Sequence, residues 1–123
     1  MSLEAFKERI VMPFSFTGEI AQVGEVDDYS VHMMAGQTYH LDVSGHTDPV
    51  HGTFDPTLTV YDSLGKQVAF NDDSGLSTDS HIDFKPAYSD DYTLAVAGYS
   101  GTGDYTLAGQ YTLVNWLVAP QTV

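Results

Sequence analysis

The chain has 123 residues, no cysteine, and 17 acidic against 4 basic side chains, for a formal net charge of −13. That length suits one domain, and a 42% hydrophobic share is enough for a real core, so the chain is not a disordered acidic tail. The charge disfavours nucleic acid and anionic membrane surfaces as partners; the missing cysteine excludes disulfides, thiolate zinc sites and cysteine nucleophiles; and no apolar run reaches the ~20 residues of a spanning helix.

Residues 1–13 read as a linker ahead of a single domain over 14–123. No signal peptide is read here, but Met1-Ser2-Leu3 reads as the junction of an excised domain, so this says little about export of the parent protein. Leu3, Phe6 and Ile10 fall on one side of a short helix over residues 3–10.

From residue 14 onward the hydrophobic period is two. Alternation runs through Phe14–Thr17, Tyr29–Met33, Tyr39–Val43, Leu58–Val60, Val68–Phe70, Ile82–Phe84, Tyr92–Val96 and Tyr105–Leu107. Turn signals separate these runs at Ala35-Gly36, Asp55-Pro56, Leu64-Gly65, Ser74-Gly75, Ser89-Asp90 and Ser100-Gly101. About eight short strands at this spacing predict an all-β antiparallel sandwich of jelly-roll type. The expected core holds Tyr29, Val31, Tyr39, Leu41, Leu58, Val60, Phe84, Leu94, Val96 and Leu107.

The pattern also predicts one hairpin. Tyr29, Val31 and Met33 are placed against Tyr39, Leu41 and Val43 around a loop of Ala35-Gly36-Gln37, which puts His32 opposite His40 on the outer face. Such a pair is either solvated or shares a transition metal. Asp91-Tyr92-Thr93-Leu94-Ala95 and Asp104-Tyr105-Thr106-Leu107-Ala108 echo each other and read as neighbouring strands of similar cross-section.

Catalytic patterns are not found. Gly98-Tyr99-Ser100-Gly101 lacks the spacing of a nucleophile elbow, no His-Glu-x-x-His exists, and Gly98-x-x-Gly101-x-Gly103 is followed by no helix. The chemical signal lies in the acids. Lys7 and Arg9 are balanced by Glu4 and Glu8, which leaves fifteen acids against Lys66 and Lys85 in the body. Solubility accounts for such a surface; so does a bound cation. Asp27-Asp28, with Glu25 nearby, and Asn71-Asp72-Asp73, with Asp79, offer the hard oxygens that calcium takes, though neither matches a helix-loop-helix calcium loop.

The ordered set Thr17-Gly18-Glu19-Ile20, Asp27-Asp28-Tyr29-Ser30-Val31, Ala35-Gly36-Gln37-Thr38-Tyr39, Asp55-Pro56-Thr57-Leu58-Thr59-Val60-Tyr61-Asp62, Gly65, Asn71-Asp72-Asp73, Asp91-Tyr92-Thr93-Leu94-Ala95-Val96 and Gly101-Thr102-Gly103-Asp104-Tyr105-Thr106-Leu107 resembles the bacterial pre-peptidase C-terminal domain. More distantly it resembles the collagen-binding domains of clostridial collagenases. The resemblance implies a jelly-roll module attached to a secreted peptidase or other exported hydrolase. Such modules are not catalytic; they aid secretion or folding, or hold the enzyme on a polymeric protein or polysaccharide. The resemblance implies Asp27 as a calcium ligand and Tyr99 as a ligand-binding aromatic; the partner position two residues before Tyr99 is Ala97, so collagen specificity does not follow. Two other readings stand beside this one. A carbohydrate-binding module would use an aromatic platform drawn from Tyr88, Tyr99, Tyr111 and Trp116. An interdomain adaptor would use the apolar tail of residues 114–118.

Overall fold

In a computed structural model of the chain, residues 8–49, 52–72, 79–99 and 101–112 are described. Among the expectations above, Asp73, Trp116, the tail of residues 114–118 and residues 3–7 of the N-terminal helix lie outside the described residues.

The described residues form eleven strands and no helix. They are β1 (Glu8–Ile10), β2 (Phe14–Ile20), β3 (Val26–Met33), β4 (Tyr39–Gly45), β5 (Thr47–Asp48), β6 (Gly52–Thr53), β7 (Pro56–Tyr61), β8 (Gln67–Asn71), β9 (Ser80–Phe84), β10 (Asp90–Gly98) and β11 (Gly103–Tyr111). One sheet has the order β1-β3-β10-β7-β8, the other β2-β11-β4-β9, and β5-β6 is a small separate ribbon. The eight strands read from alternation are β2, β3, β4 and β7 to β11, and the all-β sandwich is as expected.

The core is what the period-two pattern selects. Val31, Met33, Leu41, Val43, Leu58, Val60, Leu94, Val96, Tyr105 and Leu107 are fully buried between the sheets, with Tyr29, Tyr39 and Tyr92 close behind. Phe84, expected in this set, is half-buried and packs edge-on against Tyr92 with ring centroids 5.3 Å apart.

Three local expectations are corrected. Glu8–Ile10, placed in a helix, forms a strand parallel to β3 with Ile10 opposite Val31; pairing along β3 and the packing of Ile10 on the core outweigh a helix too short to stand alone. The hairpin of β3 with β4 does not form. β3 pairs with β10 (Val31 opposite Tyr92), whereas β4 pairs with β11 and β9, so the chain crosses from one sheet to the other at Ala35-Gly36-Gln37. Gly36 there has φ of +81°, the left-handed region that glycine adopts at least cost. The echo segments are β10 and β11, which lie in opposite sheets rather than side by side. Two inward-facing strands satisfy the same burial pattern whether they pair or face each other, so periodicity alone does not choose between these arrangements.

Candidate functional site

The crossing of the chain between sheets gathers chemistry at two places: one end of the sandwich, and the outer face of the four-stranded sheet.

At the end, Asp27 belongs to the inward-facing row of β3 that continues as Tyr29, Val31 and Met33. The buried Tyr29 and Tyr105 hydroxyls meet at 2.5 Å, and Tyr105 donates to Asp27 Oδ2 at 2.6 Å. Glu25 lies against Asp27 and accepts the backbone N–H groups of Ala21 and Gln22 at 2.8 and 3.2 Å. Burial, and the hydrogen bond to Glu25, push the Asp27 carboxyl up to about 6. The Glu25 carboxyl is lowered, first by its hydrogen bond with Asp27. The two acids therefore divide one proton unequally. Burial also raises the Tyr105 phenol, which keeps it a donor.

Asp28 does not join this pair. Successive strand residues point to opposite faces, and Asp28 lines an outer pocket of about 350 Å³ with Tyr61, Asp62 and Thr93. The second acidic group collects around Ser80, whose hydroxyl donates to the carbonyls of Pro56 and Asp72 at 2.9 and 2.6 Å. Asn71 Oδ1 accepts from His81 N–H at 3.2 Å, and Asp79 Oδ1 accepts from Gly45 N–H at 3.0 Å. Asp27, Val96, Leu58 and Asn71 stand in one row across four strands. At ~4.8 Å per strand the backbones of Asp27 and Asn71 are about 14 Å apart. One ion does not span them, because calcium holds its oxygens within ~2.6 Å. Each group offers oxygen donors only, the ligand class calcium takes.

Tyr99 is exposed in the loop at this same end, its N–H donating to the Asp55 carbonyl at 2.8 Å. Tyr88 and Tyr111 are at the opposite end: Tyr88 donates to Asp62 at 2.9 Å, and Tyr111 packs on Tyr39. Of the candidates for a carbohydrate-binding platform, Tyr99 is thus separated from Tyr88 and Tyr111 by the length of the sandwich.

The outer face of the four-stranded sheet holds residues that the sequence reading did not combine. In the register of β4 with β9, His40 faces Asp83 and Asp42 faces His81. His81 reaches Asp42 through Nδ1 at 2.5 Å and Asp83 through Nε2 at 2.7 Å. His40 reaches Asp83 through Nδ1 at 2.7 Å and the Thr112 hydroxyl through Nε2 at 2.6 Å. Asp42 also borders a shallow pocket of about 430 Å³ over Ser15, Ala108 and Gln110. The carboxylates of Asp42, first, and of Asp83 raise the His81 imidazole. The pairing of His32 with His40 is corrected: His32 lies on the other sheet and bonds Asp91 at 2.9 Å. The cue missed in the sequence is the alternation His40-x-Asp42 and His81-x-Asp83, which puts each pair on one outer face.

No protein-family profile matches the sequence, and no curated protein matches it at a significant level. Its fold has solved counterparts. The chain is similar to the pre-peptidase C-terminal domain of collagenase from Bacillus anthracis, with TM-score 0.68 and 17% identity over 85% of this chain and 95% of that one. It is also similar to the periplasmic inhibitors of g-type lysozyme from Aeromonas hydrophila and Salmonella Typhimurium. Their TM-scores are 0.55 and 0.53 and their identities 13% and 15%, over 85% of this chain and 96% and 99% of theirs.

Proposed function

We propose that this chain, which shares the fold of a collagenase pre-peptidase C-terminal domain, is a non-catalytic accessory module of a peptidase or other exported hydrolase. The supporting observation is a likeness that runs through 95% of that domain. The module aids secretion or folding of its parent, or holds the parent on a polymeric protein or polysaccharide. An extracellular or periplasmic location goes with this reading and with the periplasmic inhibitors of similar fold. Calcium, taken by the oxygens of Glu25 and Asp27 or by those of Asn71, Asp72 and Asp79, stabilises the module.

The His–Asp network does not change the reading. A general base needs a ring nitrogen free for its nucleophile, and both nitrogens of His81 are held by carboxylates. His40 does stand between a hydroxyl and a carboxylate, but the hydroxyl is that of exposed Thr112 beside a solvent-facing strand.

The test is a sedimentation assay of the purified chain on insoluble collagen, elastin, chitin, cellulose and peptidoglycan, run beside casein and ester hydrolysis and g-type lysozyme lysis. Retention on at least one polymer without turnover is the expected result. Turnover that Thr112→Ala or His40→Ala removes would overturn it in favour of an enzyme. Stoichiometric block of lysozyme with no polymer retained would replace it with an inhibitor.

A further inference from the structure

We propose that His40, His81 and Asp83 form a zinc(II) site on the outer face of β4 and β9. His40, His81 and Asp83 each offer a ligand atom within 4.8 Å of the other two, and His40 Nδ1 and His81 Nε2 both approach Asp83 Oδ1. A tetrahedral ion with ligands at ~2.0–2.2 Å needs them about 3.3–3.5 Å apart, which small side-chain rotations supply on an exposed face.

The outer contacts favour a metal over a merely solvated cluster. Zinc-bound imidazoles hold their second nitrogen on a carboxylate or another acceptor, which fixes the tautomer and aims the ring. Both histidines already have that partner. His81 Nδ1 is on Asp42 Oδ1 at 2.5 Å, and His40 Nε2 is on Thr112 Oγ1 at 2.6 Å. The remaining nitrogens, His81 Nε2 and His40 Nδ1, converge on one Asp83 oxygen at 2.7 Å each. Without metal, protons fill the space between them; zinc displaces those protons to solvent and takes the two nitrogens and the carboxylate. The backbone keeps the set on the outer face, since Ile82, between His81 and Asp83, and Leu41, next to His40, are core residues with their side chains on the other side of the sheet.

Two nitrogens and one oxygen leave a fourth position, which faces solvent at the sheet edge because β9 is an edge strand. The donors also separate this site from calcium: imidazole nitrogen suits zinc, whereas calcium takes oxygen. Asp42 is a positioning residue here and not a ligand.

The experiment is calorimetric titration of zinc chloride into the tag-free full chain, stripped with EDTA and held in excess calcium. One zinc per chain is expected, with the His40 and His81 ring nitrogen resonances shifting on saturation. His40→Ala and His81→Ala should abolish the one-to-one event, and Asp42→Asn should weaken it about tenfold or more. His32→Ala, on the other sheet, should bind as the parent does. Should an alanine variant fail to fold by circular dichroism, the nitrogen shifts of the unsubstituted chain carry the test. No saturable binding, shifts absent from His40 and His81, or full displacement by calcium would overturn the proposal.

Discussion

Asp27 faces inward at the end of a core whose neighbouring positions are Tyr29 and Tyr105, and its charge is unwelcome there. Its carboxyl is pushed from an ordinary 3.8 up to about 6 by burial and by Glu25. A carboxyl raised on folding binds its proton more tightly in the folded chain. Its contribution to stability is therefore fully present below about pH 4 and is lost as the pH rises through about 6. Glu25 is lowered and contributes in the opposite sense, but its window lies below its ordinary 4.5. In calcium-free buffer the melting temperature of the chain should fall from pH 4.5 to pH 6.5 relative to that of Asp27→Asn. That variant keeps an acceptor for Tyr105 and a donor for Glu25 but has no proton to lose. Parallel pH profiles for the two proteins would show that Asp27 is not the group responsible.

At the scale of elements, strand positions and inward faces were legible because burial is written at period two, and nine of the ten core residues named from the pattern are buried. Pairing was not legible: Tyr29, Val31 and Met33 face the interior from one sheet, and Tyr39, Leu41 and Val43 face it from the other, a choice made by long-range contacts. The His–Asp site depends on β4 lying beside β9, so it was hidden for the same reason. Asp27 and Asp28 were legible as acids but not as residues on opposite faces of one strand. Phe54 escaped notice because it stands alone between turn residues. It is 4% exposed and closes the end of the sandwich. Glycine leaves room for it: a Cβ on Gly45 would lie 1.8 Å from the Phe54 carbonyl oxygen, and one on Gly103 2.6 Å from the Phe54 Cβ. Phe54→Ala should cost about 3–5 kcal/mol in urea unfolding. Gly45→Ala should cost about 1–3 kcal/mol or more, since the obstacle is backbone and does not rotate away. Leu64→Ala, at a residue 90% exposed, should stay within about 0.5 kcal/mol. A Gly45→Ala variant as stable as the parent would mean that the Phe54 loop moves freely, and that this end is not a fixed frame for the nearby acids.

The whole molecule carries −13, and Arg9, which approaches Asp91 at 3.5 Å, offsets little of it. Repulsion of this kind weakens a compact state, and any salt relieves it by screening over ~10 Å at 0.1 M. A bound ion differs from screening in being selective. Magnesium screens as well as calcium but demands closer, more regular oxygens. Asp27 and Asn71, one in each group of oxygens, stand three strand spacings apart. An ion held by the folded state alone stabilises it by ~2.7 kcal/mol at a hundred times its dissociation constant, which for a chain of this size raises the melting temperature on the order of 10 °C. Melting should therefore be followed in EDTA, calcium and magnesium at matched ionic strength. A rise with calcium alone is expected. Its loss in Asp27→Asn would place the ion at the Glu25–Asp27 pair, and its loss in Asp72→Asn or Asp79→Asn would place it beside Ser80. Equal melting in the three buffers would mean that calcium acts only by screening, and that the two groups of acids are held by protons and backbone hydrogen bonds alone.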